Sequence, residues 1–245
     1  MSPKDLLVAL VVILAWGVNF VVIKLGLHGV PPMLLGALRF TAALPVFFVN
    51  RPQIPLRWLF AYGLTISFGQ FALLFYGMSV GMPAGLASLV LQAQAFFMLI
   101  FAAMFLGERI RAANVAGLLI SAAGLAVIGM QGGHAMTLLG FVLTLAASSM
   151  WALSNVVTKR MGKVDLLSLV VWASLIPPLP FFVLSLIFEG PARIEASLAH
   201  IPLVSVFAVA YLSFIATIVG YSLWGTSCWR VIRRRRSRRF RCWCR

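Results

Sequence analysis

Trp16 and Asn19 lie three residues apart, a spacing that puts an aromatic ring and an amide on one face of a helix. Trp151, Ser154 and Asn155 bring similar chemistry together later in the chain. Amides both donate and accept hydrogen bonds, and aromatic faces attract cations, so the two stretches suit a small zwitterionic molecule with an ammonium group. Ser67 and Gln70, then Gln92 and Gln94, add polar groups inside apolar runs. Gln92 and Gln94 are two positions apart and cannot both face one cavity from a single helix, so Gln94 is expected to bond a neighbouring helix. Asn19 and Asn155 have a plainer reading as bridges between helices, and the residues alone leave both readings open.

Other chemistries find less support. Gly77-Met78-Ser79-Val80-Gly81 matches the G-x-S-x-G nucleophile pattern, and His200 is expected at the same membrane face, which evokes an intramembrane serine protease. The strand, turn and helix that give that pattern its meaning are missing, so the protease is the weaker alternative. No H-E-x-x-H, phosphate-binding loop, paired cysteine ligands or dinucleotide fingerprint occurs, and neither metal nor cofactor is implied. The carboxylates Asp5, Glu108, Asp165, Glu189 and Glu195 all fall at or beyond the ends of apolar runs, so no carboxylate is placed to carry a proton across a membrane. Glu108, beside Arg109 and Arg111, is expected to order a loop. Arg39 falls inside an apolar run, where it could pair with an anionic group or snorkel to the near surface, and snorkelling is the expectation.

The elements that position these groups follow from composition. With 62% apolar and 10% charged residues in 245, and a mean hydropathy of +1.02, the chain has too little polar surface for a water-soluble globule. Eight runs are near the length needed to cross a bilayer as helices: 6–27, 32–50, 58–80, 83–106, 113–130, 137–159, 166–188 and 201–224. Helix is required because backbone groups in lipid must satisfy one another and these runs are too long for barrel strands. The first run is too long for a signal-peptide core and is read as a retained span. Lys4, Arg51, Arg57, Arg109, Arg111, Lys159, Arg160 and Lys163 fall on one side of such a bundle, against Lys24 and Arg193 on the other. That bias predicts a cytoplasmic N-terminus.

Displacing the sequence by 135 residues sets Trp16 on Trp151, Lys24 on Lys159 and Pro45 on Pro180. After a small length change, Phe75-Tyr76-Gly77 falls on Leu223-Trp224-Gly225. Five runs precede the restart, so the second unit enters the membrane from the other side. The expected fold is an all-α membrane bundle with an inverted five-helix repeat, eight of ten helices being present. Residues 1–131 form the first repeat and 132–226 an incomplete second one. Inverted repeats are a recurring design of secondary transporters, with substrate bound between the halves.

Residues 227–245 differ in kind. Residues 1–225 carry eleven Lys/Arg and five Asp/Glu, whereas 226–245 carry nine Arg, no acid and all three cysteines. Arg, Cys and Trp are what GC-rich DNA yields out of frame. In the shifted frame both Cys-Trp junctions must read Leu, and Trp243-Cys244 must read Val. A frame change near Thr226 is the favoured reading, over a polybasic anchor on anionic lipid and over a nucleic-acid arm.

Several of these segments together resemble the EamA-type branch of the drug/metabolite transporter superfamily. They are Ala15-Trp16-Gly17-Val18-Asn19-Phe20, Leu38-Arg39-Phe40, Ala84 to Leu89 with Gln92, Leu106-Gly107-Glu108-Arg109, Asn114 to Gly117, and Gly124. The resemblance implies ten helices in two inverted halves and outward movement of amino acids or related metabolites, cysteine and O-acetylserine being the nearest type. It also favours Gln92 over Gln94 as a substrate contact. The expectation is a bacterial inner-membrane exporter of small amino-acid-like metabolites working by alternating access. Trp16, Asn19, Ser67, Gln70, Gln92, Trp151, Ser154 and Asn155 are its candidate substrate contacts. Its expected partners are a small-molecule substrate and membrane lipid, with no nucleic acid and with a homodimer left open. The alternatives are a truncation product without transport and the protease above.

Overall fold

The computed structural model describes residues 3–42, 49–108, 112–130, 136–162 and 164–219. Among them the regular structure is entirely helical. Five stretches are long and apolar enough to cross a membrane: Leu6–Gly26, Leu56–Ser79, Ala84–Leu106, Leu138–Met161 and Leu166–Phe188. A sixth is added if Pro191–Ala199 and Leu203–Thr217, which meet at 99°, make one bent span. The chain is therefore a polytopic helical bundle. The helix Pro191–Ala199 lies where the sequence suggested only a connection; Gly190, at φ 76°, and Pro191 start it. The tail 227–245, Pro45, and the triplet Leu223-Trp224-Gly225 lie outside the described residues, as do Arg109, Arg111, His134 and Lys163.

The helices are α1 (Pro3–Gly26), α2 (Pro32–Ala42), α3 (Leu56–Tyr62), α4 (Gln70–Ser79), α5 (Ala84–Leu91), α6 (Gln94–Leu106) and α7 (Ala112–Met130). They continue as α8 (Leu138–Met161), α9 (Leu166–Ala173), α10 (Pro178–Phe188), α11 (Pro191–Ala199) and α12 (Leu203–Ala210). Two wide π-helical segments interrupt the spans: Gly63–Gly69 between α3 and α4, and Tyr211–Val219 after α12. Several starts coincide with proline, whose fixed φ suits a first helical turn and whose missing N–H costs nothing there. Pro32 opens α2, Pro83 precedes α5, and Pro178 opens α10.

Helix α8 is the hub, packed by α4 on one side and by α6 on another. Its approach to α4 depends on two glycines. A Cβ on Gly140 would stand 3.0 Å from the Gly77 carbonyl oxygen and 3.0 Å from the Met82 nitrogen. One on Gly77 would stand 3.2 Å from the Gly140 oxygen. Small residues here let two backbones touch, which is how helices gain packing energy where lipid is as apolar as the side chains. Thr137 seals the same end, donating to the Val80 carbonyl at 2.7 Å. Not every small residue packs. Gly85 and Gly117 have open space where a Cβ would be.

One carboxylate ties distant spans together. Glu189, at the end of α10, accepts from the backbone N–H groups of Met33 at 2.6 Å and Leu34 at 3.1 Å, in the first turn of α2, and from the Ser185 hydroxyl at 2.5 Å. Pro31, which precedes α2, has no side-chain oxygen to cap it, and the acid fills the role from across the bundle. By contrast α9 is capped by its own Asp165, which accepts from the Ser168 N–H at 3.1 Å.

Candidate functional site

Hydrogen bonds among the described residues hold the second π segment between α1 and α2. The Trp16 indole donates to the Ala216 carbonyl at 3.1 Å, and the Tyr211 hydroxyl donates to the Ala15 carbonyl at 2.9 Å. The Ser213 hydroxyl donates to the Arg39 carbonyl at 2.7 Å, and Arg39 Nη2 donates to Thr217 Oγ1 at 3.3 Å. A π segment leaves backbone and side chains in positions an α-helix does not offer, and such segments recur at functional sites.

Beside this junction lies a cavity of about 70 Å³ lined by Trp16, Asn19, Arg39, Gln70, Phe71 and Trp151, among others. A water needs roughly 10–15 Å³ of such space, so there is room for a few waters or the polar end of a small metabolite. Drug-sized ligands need several times more. Gln70 reaches the cavity because it is the first residue after the wide segment Gly63–Gly69. Asn19 and Trp16 reach it from one face of α1, and Trp151 from α8.

The polar groups here are deeply buried: Asn19 is 9% exposed, Gln70 5% and Arg39 3%. Among the described residues, Asn19 Oδ1 and Gln70 Oε1 accept no hydrogen bond. Leaving a buried acceptor unmet costs about 1–3 kcal/mol, so two on one cavity mark a place where a donor is missing. The Arg39 guanidinium stands 3.9 Å above the Phe71 ring and 5.2 Å from Phe40. Cation–π contact of this kind contributes about 0.5–2 kcal/mol and fixes the plane of the fork. An aromatic wall steadies those rings, with Phe40 and Phe71 edge to face at 5.7 Å and Phe40 stacked near Phe181 at 5.9 Å.

Of the eight residues singled out by sequence, the cavity gathers Trp16, Asn19, Gln70 and Trp151. The other four lie elsewhere. Ser67 is buried within the first π segment, and the Ser154 hydroxyl donates to the Trp151 carbonyl of its own helix. The Asn155 amide donates to Gln94 Oε1 at 3.1 Å, so Asn155 and Gln94 bridge α8 to α6. Gln92 is exposed at the break between α5 and α6. The expectation for Arg39 is corrected: it does not snorkel but is buried on the cavity. A charge in mid-span was the available signal, because it is retained there only at a cost.

Ser79 ends α4 and donates its hydroxyl to the Tyr76 carbonyl at 2.8 Å. It lines a separate cavity of about 260 Å³ with Lys24, His28 and Arg193. This helix-end setting is not a nucleophile elbow. Glu108 pairs with Lys159 at 2.6 Å, joining the end of α6 to the end of α8.

Comparison with known proteins agrees with this architecture. Residues 4–130 match the EamA-like transporter family. The chain is 49% identical over 235 residues to the probable amino-acid metabolite efflux pump of Escherichia coli K12, covering 92% of this chain and 78% of that one. The protein of the same description from Salmonella typhimurium LT2 is also 49% identical, over 234 residues with the same coverage. The probable terminal-alkyne amino-acid exporter of Streptantibioticus cattleyicolor is 28% identical, covering 87% of this chain and 72% of its own. A solved crystal structure, 20% identical, superposes with a TM-score of 0.61 over 92% of this chain and 79% of its own, which shows a shared fold. The chain belongs to the EamA-like transporter family.

Proposed function

We propose that this member of the EamA-like family exports small amino-acid-like metabolites across a bacterial inner membrane, binding them in the cavity between α1, α4, α8 and the second π segment. The observation that carries the reading is the pair of buried, unmet amide oxygens on Asn19 and Gln70, flanked by Trp16 and Trp151. Such a set accepts hydrogen bonds from an ammonium group and packs aromatic faces around it. The relatives described as probable amino-acid metabolite efflux pumps support the substrate class.

The N-terminus is cytoplasmic in this reading, on the strength of the loop charges, and access alternates by movement of two inverted halves about the cavity. Support for the inverted repeat comes from the π segments. The offset that aligns Phe75-Tyr76-Gly77 with Leu223-Trp224-Gly225 also sets Gly63 on Tyr211, the residues where the two π segments begin. The family match ending at residue 130 adjoins the proposed boundary at 131.

The test is efflux of an amino-acid metabolite from cells producing the protein. Asn19→Ala should lower the efflux rate about tenfold, the loss expected for one hydrogen bond to a charged group. Ser79→Ala should leave it unchanged. Undiminished efflux by Asn19→Ala at equal protein level would remove this cavity as the binding site.

A further inference from the structure

We infer that Arg39 is the carboxylate anchor of the transport site, with Asn19 Oδ1 and Gln70 Oε1 as acceptors for the ammonium group, so that the ligand is an α-amino acid with both ends free. This rests on the exporter reading and adds to it which chemical ends are recognised, and by which atoms.

Three observations meet at one place. Arg39 is a cation buried to 3% exposure on the wall of the cavity that Asn19 and Gln70 also line. Its guanidinium lies over Phe71, and its Nη2 bonds Thr217, so the fork is held in a defined plane. The two amide oxygens on the same cavity accept nothing among the described residues. A guanidinium offers only donors and suits the two oxygens of a carboxylate. Amide oxygens offer only acceptance and suit an ammonium. The cavity thus presents opposite recognition chemistry at short range, matching the two charges carried on one α-carbon. Its volume of about 70 Å³ suits the small head common to amino acids and leaves the side chain to the aromatic residues around it.

The backbone arrangement explains why the anchor sits there. The Arg39 carbonyl accepts from Ser213, so α2 is fastened to the second π segment at the residue whose side chain enters the cavity. Carboxylate binding would therefore act on a contact between the two proposed halves, and not on one helix alone.

The test uses the full chain in lipid nanodiscs, with radiolabelled O-acetyl-L-serine as probe. The competitors are its methyl ester, which lacks the carboxylate charge, and 3-acetoxypropanoate, which lacks the ammonium. The unmodified protein should prefer the free acid to the ester by about ten- to a hundredfold, the range expected for a charged hydrogen-bonded pair. Arg39→Gln should bring that ratio to within about threefold of unity while preserving discrimination against 3-acetoxypropanoate. Arg39→Lys, which keeps the charge but loses the fork, should fall between. Asn19→Leu should erode only the discrimination against 3-acetoxypropanoate.

An ester bound as tightly as the acid by the unmodified protein would overturn the inference without any variant, so misfolding of Arg39→Gln cannot shield it. Selectivity unchanged in a folded Arg39→Gln protein would overturn it as well. Either result leaves the exporter reading standing if efflux still depends on Asn19. Failure of the unmodified protein to bind any of the three compounds would remove both.

Discussion

Helices α1 and α8 are both 24 residues long and carry the two tryptophans that the sequence offset aligns, yet they live in different surroundings. In α8, 44% of the apolar window is buried, against 18% in α1. Helix α8 is gripped by α4 through Gly77 and Gly140 and on another flank by α6. Along α1, Leu6, Leu10, Ile13, Leu14, Val18, Val21 and Leu25 stand exposed. Hydrophobicity alone does not set burial, since α1 is the more apolar of the two and the less buried. Neighbours do. Burial of a span therefore reports which neighbours it has, whereas its apolar length reports only that it can enter lipid.

This contrast can be broken at its strongest point by matched glycine substitutions. Gly140→Leu should cost about 3 kcal/mol or more, because its Cβ already has no room against the α4 backbone. It should be read as loss of monodisperse folded protein. Gly17→Leu, where a Cβ meets nothing within 4 Å, should change thermal stability by less than about 0.5 kcal/mol. Equal damage from both would mean that the face of α1 is covered.

A second contrast concerns the starts of α2 and α9, which the proposed repeat also pairs. Glu189→Ala should cost about 2 kcal/mol in chemical denaturation, since two N–H groups of α2 and the Ser185 hydroxyl lose their acceptor together. Asp165→Ala should cost about 1 kcal/mol, a local cap only. If the order were reversed, Glu189 would not be what fastens α10 to α2.

A small effect is expected at the far end of α8. Glu108 and Lys159 are 47% and 48% exposed, so Glu108→Gln should lower stability by less than about 1 kcal/mol, and high salt should erase the difference. A larger loss would show that charge, and not packing, clamps α6 to α8.

The sequence disclosed the fold class because long apolar runs admit one secondary structure in lipid. Depth and residue type also picked out Trp16, Asn19, Gln70 and Trp151, which line one cavity. What it could not supply was azimuth. Ser67 and Gln70 are three apart and would share a face on an α-helix, but the wide segment between Gly63 and Gly69 alters that phase, and only Gln70 lines the cavity. The break after α5 has the same effect on Gln92. Arg39 was legible in principle, as a charge retained in mid-span, but its burial depends on Phe40, Phe71 and Thr217 from three separate segments. Glu189 was unreadable as a cap for the same reason, being 156 positions from the nitrogen it serves.

The two π segments carry one more consequence. Each wide turn holds about one residue more than an α-helical turn, so each of these spans keeps a little chain in reserve. Drawing that residue into ordinary α geometry would rotate the part of the helix beyond it by about 100°. Gln70 would swing off the cavity in one span. In the other, Ala216 and Thr217 would turn away from Trp16 and Arg39 together. A twist of two helices about their own axes would thus dismantle the proposed binding surface while leaving the length of chain across the bilayer nearly unchanged.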